Sequence, residues 1–320
     1  MRFRLPIVVA AAAAMSLVAG PLRPAGAITV AEAVGKYAPI VYVHRQEKLL
    51  PATATNFIKG SELRWHHDST CTDHPVKSVD GSPSRAPNPA ALARGDYRHQ
   101  TAHPRWSFSS CDHEKAQYHS NQSVRPKGGG DSGGEGMFLD LDNGLRGGEG
   151  LNAPVYWDVR GRNIVYWFHY ADNRPNVQRG PDLGHEGDWE NVTVELGAQN
   201  KAARIYYAQH GDGCFVDADG KRPKVYSARG SHASYHRPGT HEYKAKDFPG
   251  GFDIIIRDEA DGNGRIWDAG PRLRKLSNEA WYGYGGGWGE VDPNKALTGP
   301  SGPHPVHKQG LPKPGAGHCP

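Results

Sequence analysis

Beyond the stretch from Leu5 to Gly20, the 320-residue sequence has no apolar run long enough for a membrane-spanning helix, which takes ~20 residues. It lacks a large excess of charge: 38 Lys and Arg against 34 Asp and Glu give +4. No repeat at a period of ~20–50 residues is visible, so no repeat architecture is indicated. There is no H-E-x-x-H element, the mark of zinc hydrolases. Glycine is abundant, but without a strict three-residue period, which excludes collagen. The 41 Gly and 25 Pro also exclude a helical bundle, because both residues are costly inside helices. At 37% hydrophobic and mixed charge, the chain is too apolar to be disordered.

What is present begins with an export signal over residues 1–27. Arg2 and Arg4 open it, the Ala-rich run follows, and Ala25-Gly26-Ala27 is an A-x-A cleavage site. The mature chain then starts at Ile28. Its removal takes Arg2, Arg4 and Arg23 and no acid, so the mature charge is +1 and gives no reason to expect nucleic acid. Four cysteines remain, and an even count in an exported chain favours two disulfides. The preferred pairing is Cys71–Cys111 and Cys214–Cys319. Zinc is the rival, since His66, His67, His74 and His113 lie near the first two, though without regular two-Cys-two-His spacing.

Thr29 and Glu32 form a capping box, so a short helix starts there and ends near Gly35. Tyr37 to His44 reads as a strand with Pro39 at its edge. Residues 67–135 read as a loop-rich, disulfide-bound insertion, given segments such as DGSPSRAPNPA and RPKGGGDSGGEG. Downstream, strands are predicted at Val155–Asp158, Asn163–Tyr170, Trp189–Leu196, Ala203–Gln209, Lys224–Ser227, Phe252–Arg257 and Arg265–Asp268. Many short strands between turn signals indicate an all-β fold, a β-sandwich of mostly antiparallel strands with a few short helices and long loops, as one domain over 28–320. DEADGNGRIWD does not fit an EF-hand register and reads as a hairpin turn before Arg265.

The segment carrying most chemistry is GHEGDWE, at the head of WENVTVEL. Side chains alternate along a strand, so Asp188 and Glu190 share a face with Val192, Val194 and Leu196. Asp172 likewise shares a face with Ile164, Tyr166, Phe168 and Tyr170. If the two strands are neighbours, three carboxylates converge at one rim. Partly buried like charges need a partner. Oxygen ligands alone suit Ca²⁺ or Mg²⁺, whereas imidazole from His185 or His232 would suit Zn²⁺ or Mn²⁺. The two histidines fit equally well behind the ligands. Pairing with Arg174, Arg179 or Arg229 accounts for the same acids without a metal. His169 points away and reads as a packed histidine, and His210 is a weaker candidate for the rim.

These segments resemble the vacuolar protein sorting-associated protein 62 family. The likeness rests on YAPIVYVHRQEKLLPATATNFI, FLDLDNG, GHEGDWENVTVEL, YAQHGDG, RPKVYSARGSHASY, IWDAGP and WYGYGGGWGEV, in that order. More distantly, YWFHYADNRP followed by GHEGDWE is similar to the necrosis- and ethylene-inducing-like proteins with their GHRHDWE heptapeptide. Those are secreted β-sandwich cytolysins that bind a divalent cation and sphingolipid head groups. That resemblance implies metal roles for Asp172, His185, Asp188, Glu190 and His232. Glu186 and Gly187 depart from the heptapeptide, so metal binding transfers better than toxicity.

Three functions follow as expectations. The favoured one is a secreted, monomeric, metal-binding β-sandwich that docks a membrane glycolipid or glycan head group, with a cytolysin as one form of it. Trp281, Tyr284 and Trp288 of WYGYGGGWGE, with Tyr282, would form a stacking platform; packing beneath the Gly-rich turn is the alternative. The second is a metal-dependent hydrolase of phosphoesters or glycans, with His185 or His232 as general acid or base. Ser231 beside His232 is a poor nucleophile, since strand neighbours face opposite ways. The third is an inert domain with acid–Arg pairs.

Overall fold

The structure is a computed structural model that describes residues 26–66, 73–76, 83–99, 118–119, 136–180, 182–248, 252–292, 297–306 and 310–320. Residues 1–25 of the expected export signal, Cys71 and Cys111 lie outside the described residues. The fold is all-β and sandwich-like. Its centre is a six-stranded sheet ordered Asp212–Asp217, Ala202–Gln209, His185–Leu196, Asn163–Asn173, Val155–Arg160 and Leu273–Lys275. All its neighbours are antiparallel except Leu273–Lys275, which runs parallel to Val155–Arg160.

The long strand Asn163–Asn173 is buried almost end to end. A half-solvated sheet would show alternation, so both of its faces must be covered. One face presents Ile164, Tyr166, Phe168 and Tyr170, which join Val192, Val194 and Leu196 in a core with Val41, Val43 and Trp267. The last three come from a four-stranded sheet of Ser234–Tyr235, Lys224–Ser227, Ile40–Val43 and Arg265–Asp268. The other face presents Val165, Trp167, Ala171 and Trp189 to Leu63, Trp65, Met137 and Leu139. Those four belong to a sheet of Gly287–Trp288, Gly136–Leu141, Ser61–His66 and His74–Pro75. His169 is packed in this second core, donating from Nδ1 to Ala52 O at 3.1 Å, and burial lowers its pKa to about 4.

The capping box forms: Glu32 N donates to Thr29 Oγ1 and Thr29 N to Glu32, starting the helix Val30–Lys36. The disulfide Cys214–Cys319 is present and spans 105 residues, tying the C-terminal segment to the edge of the central sheet.

Several expectations change. The region taken as a loose insertion supplies Val76, Leu92 and Tyr97 to the second core, and holds the helix Pro89–Arg94. Asn88 caps that helix and Gly95 closes it with a left-handed φ of 72°, signals outweighed in the sequence by the surrounding Pro and Ser. The turn before Arg265 exists, with Asp261 accepting from Asn263 N, but it is not a hairpin. It joins Phe252–Ala260, in a three-stranded sheet with Gly239–Phe248 and Val177–Arg179, to Arg265–Asp268 in a different sheet.

Candidate functional site

The site grows from the paired strands Asn163–Asn173 and His185–Leu196, in register with Glu186 opposite Asp172 and Asp188 opposite Tyr170. Regular alternation would put Glu186, Asp188 and Glu190 on one face. Gly187 breaks that rule with a left-handed φ of 61°. A Cβ there would sit 2.1 Å from Trp288 O, so only glycine fits. Glu186 then turns toward one flanking sheet, accepting from Leu141 N at 3.0 Å. Asp188 turns toward the other, meeting His232 at 2.9 Å.

His232 is 1% exposed and lies flat on Tyr170, ring centroids 3.7 Å apart. Its Nε2 donates to Leu49 O at 3.1 Å, and its Nδ1 shares a proton with Asp188 Oδ2. Glu47 Oε2 stands 3.8 Å from Nε2. Burial opposes the charged ring, but the hydrogen bond and charge of Asp188, with the charge of Glu47, outweigh it and raise the pKa. Neither nitrogen keeps a free lone pair, so His232 holds Asp188 in place rather than facing a cation. Its left-handed φ of 56° is a strained backbone that the two carboxylates hold.

Glu190 is half-buried, and its side chain has no hydrogen-bond partner among the described residues. Burial, then Asp188, then Asp258 raise its pKa well above the ordinary range. Asp258 is buried and fully engaged: His210 Nε2 and Ser231 Oγ donate to it at 2.6 Å, and Tyr235 OH at 2.7 Å. Burial is the largest single influence on Asp258 and raises its pKa, yet these three donors together bring the net shift below normal. His210 thus serves Asp258, and Ser231 is tied to that carboxylate instead of to a histidine base.

Of the other predicted residues, His185 faces a polar hollow of about 500 Å³, whose lining also includes Glu186, Asp140, Glu290, Arg64, Arg146 and Arg174. Carboxylate oxygens of Asp140, Glu186 and Glu290 lie within 4.8 Å of one another. Arg146 Nη2 donates to Glu186 Oε1 at 2.6 Å, and Arg64 stands 3.5 Å from Asp140. Burial raises the Glu186 pKa to about 7 despite those bonds, and raises that of Asp140 as well. His185 Nδ1 donates to Gly187 O at 2.9 Å, which leaves Nε2 with its lone pair. Asp172 is paired with Arg174 at 3.2 Å and with Arg146 at 4.0 Å.

Among the described residues, no three of Asp172, His185, Asp188, Glu190 and His232 bring ligand atoms within 4.8 Å of one another. The acids instead divide: Asp172 goes to arginine, Asp188 to histidine, and Glu186 joins Asp140 and Glu290. Sequence reading passed over Glu186 as a departure from a motif, and Asp140 and Glu290 lie far away in the chain. The FLDLDNG segment carried Asp140, but nothing local tied it to Glu186.

The stacking platform is not on the surface. Trp281 and Tyr284 are 1% exposed and Trp288 is 0% exposed. A Cβ on Gly286 would lie 2.5 Å from Met137 O, so the Gly-rich turn runs hard against the Gly136–Leu141 strand and drives its aromatics into the core. Edge-to-face contacts link Trp288 to Trp189 and Trp281.

Residues 180–283 match the vacuolar protein sorting-associated protein 62 family. The matched span holds GHEGDWE, Asp188, Glu190, His232 and Asp258. The chain is also 22% identical to the Saccharomyces cerevisiae vacuolar protein sorting-associated protein 62, over 83% of this chain. It spans 63% of that relative's length. Solved structures similar to the chain include one titled "Toxin fold for microbial attack and plant defense", at 13% identity and a TM-score of 0.30, covering 81% of this chain and 80% of that one. Another is NLPPya in complex with glucosamine, at 13% identity and a TM-score of 0.29, covering 82% of each.

Proposed function

We propose that this is an exported, monomeric β-protein that docks a glycan or glycolipid head group beside its acidic hollow, with a divalent cation as part of the seat. The observation that carries the reading is the trio Asp140, Glu186 and Glu290, whose oxygens lie within 4.8 Å of one another. Three like charges at that spacing repel, and Arg146 beside Glu186 with Arg64 beside Asp140 offsets only part of that repulsion. A hard cation relieves the rest, and oxygen ligands suit Ca²⁺ or Mg²⁺. A bound cation would supply positive charge toward ligand hydroxyl or carboxylate groups. The chain's own residues position it: Leu141 N and Arg146 orient Glu186, and His185 offers Nε2 at the edge.

A second seat is favoured by Glu190, which is half-buried without a partner beside Asp188. Here Asp188 and Glu190 would be ligands, and His232 would orient Asp188. Titrating purified chain with Ca²⁺ and with Mg²⁺ separates the seats. Glu186→Gln weakens binding if the acidic hollow is the seat, and Asp188→Asn with Glu190→Gln does so if the second one is. Glycan-array binding that disappears in chelator supports the docking function. Array binding unchanged by chelator, or no cation binding by any form, overturns it.

A further inference from the structure

On the other side of Arg174 from the acidic trio lies a second hollow of about 430 Å³. Its lining includes Lys48, Arg174, Arg229 and Arg257, with Glu47 and Glu259. We infer that this hollow is a binding site for a phosphomonoester group, built around those four cations and distinct from the cation seat.

The argument begins with the two acids. Glu47 is buried and its oxygens are spent on backbone: Lys48 N and Leu49 N donate to Oε1 at 2.8 Å, and Gly230 N to Oε2 at 2.5 Å. It therefore anchors the floor of the hollow and cannot swing out to meet the cations. Glu259 is the other carboxylate in the lining. Four cations against two lining carboxylates, with Asp172 taking part of the Arg174 charge, leave the lining net positive, the sign that a phosphomonoester of about −1.5 to −2 at neutral pH requires.

Three of the four cations have no carboxylate partner among the described residues. Lys48 and Arg257 are exposed and have no side-chain partner among the described residues. Among the described residues, the Arg229 side chain donates only to the neutral Gln46 amide, at 3.3 Å. Arg174 shares Asp172 with Arg146. Three of the four are guanidinium groups, whose planar fork matches two phosphate oxygens at once. The volume lies within the range of small-molecule sites and takes a phosphate with a sugar-sized body attached.

The floor is also rigid. Arg174 N donates to Gly230 O at 2.8 Å, and Asn173 Nδ2 to Ser231 O at 3.1 Å. Gly230 has a left-handed φ of 78°, and a Cβ there would lie 2.1 Å from Arg174 O. The loop thus lies directly against the end of the long strand. A preformed seat loses less entropy on binding than a mobile one.

Calorimetric titration with inorganic phosphate and with glucose 6-phosphate tests the site. The comparison is wild type against the double variant Lys48→Gln with Arg257→Gln, both positions being exposed. Saturable binding is expected for wild type, weakened at least tenfold in the double variant, which keeps the wild-type Tm. Phosphatidylcholine vesicles with and without phosphatidic acid identify the source. Pelleting with phosphatidic acid assigns a lipid head group, and binding confined to glucose 6-phosphate assigns a soluble ester. The inference is overturned if no saturable binding occurs up to about 10 mM, where even a 1 mM Kd would show. Equal affinity in the double variant overturns it too. It stands apart from the proposed cation seat: Glu186→Gln should lose Ca²⁺ and keep phosphate, and the double variant the reverse.

Discussion

Two hollows meet at Arg174, and they handle charge in opposite ways. In the acidic one, three carboxylates crowd together, Glu186 among them buried, and burial raises its pKa to about 7. In the cationic one, the charges stand on exposed side chains, while its buried acid, Glu47, is satisfied by three backbone N–H groups. The difference is one of solvation. The acidic hollow stores unfavourable charge that a ligand could relieve, whereas the cationic hollow leaves its charge in water for a ligand to collect. Gly187 creates the first by turning Glu186 away from Asp188, and Gly230 builds the second by letting the His232 loop touch the strand end.

The largest effect should come from His232→Leu, which removes the cation between Asp188 and Glu47 and sits beneath the cationic hollow. Leaving the buried Asp188 carboxylate without its partner costs about 3–5 kcal/mol, read as a lower urea midpoint. A change below about 1 kcal/mol would mean that neither carboxylate depends on the ring. Gly187→Ala should come next. Left-handed strain and the clash with Trp288 O cost about 2–3 kcal/mol together, and the variant should also lose the separation of Glu186 from Asp188. Wild-type stability in that variant would show that the strand can keep both side chains on one face.

The third test is pH. The folded-state pKa of Glu186, about 7, lies above its ordinary 4.5. Its contribution is fully present below pH 4.5 and is lost as pH rises through 7, at a cost of roughly 3 kcal/mol from this group. Chemical melts across that window should show the decline in wild type and a flatter profile in Glu186→Gln. Parallel profiles would place the strain elsewhere. The smallest effect belongs to Lys48→Gln with Arg257→Gln, expected within about 0.5 kcal/mol of wild type because both side chains are exposed. A larger loss would make them part of the fold instead of a free surface.

The strands were largely legible in the sequence, and the site was legible only in pieces. Lys224–Ser227 and Arg265–Asp268 match their predicted bounds, and Asn163–Asn173 and His185–Leu196 extend theirs. Alternation placed Tyr166 and Val192 in one core correctly, because hydrophobic periodicity is local. Tyr37 was predicted to lie in a strand but closes the first helix, since helix capping competes with the same residues. Gly239–Phe248 was missed because its charged and polar residues give no apolar alternation. The acidic trio joins three strand ends or loops distant in sequence, and no spacing rule connects Asp140 to Glu290. Glycine cannot reveal its φ from sequence, so the turn at Gly187 that sends Glu186 and Asp188 apart was invisible.

If the acidic hollow seats a cation, Glu186 is one of its ligands. Calcium titration by calorimetry, wild type beside Glu186→Gln at one pH above 7, tests it most directly. Saturable binding in wild type should weaken at least tenfold, about 1.4 kcal/mol, in the variant. No saturable binding in wild type, or equal affinity in the two proteins, would contradict it.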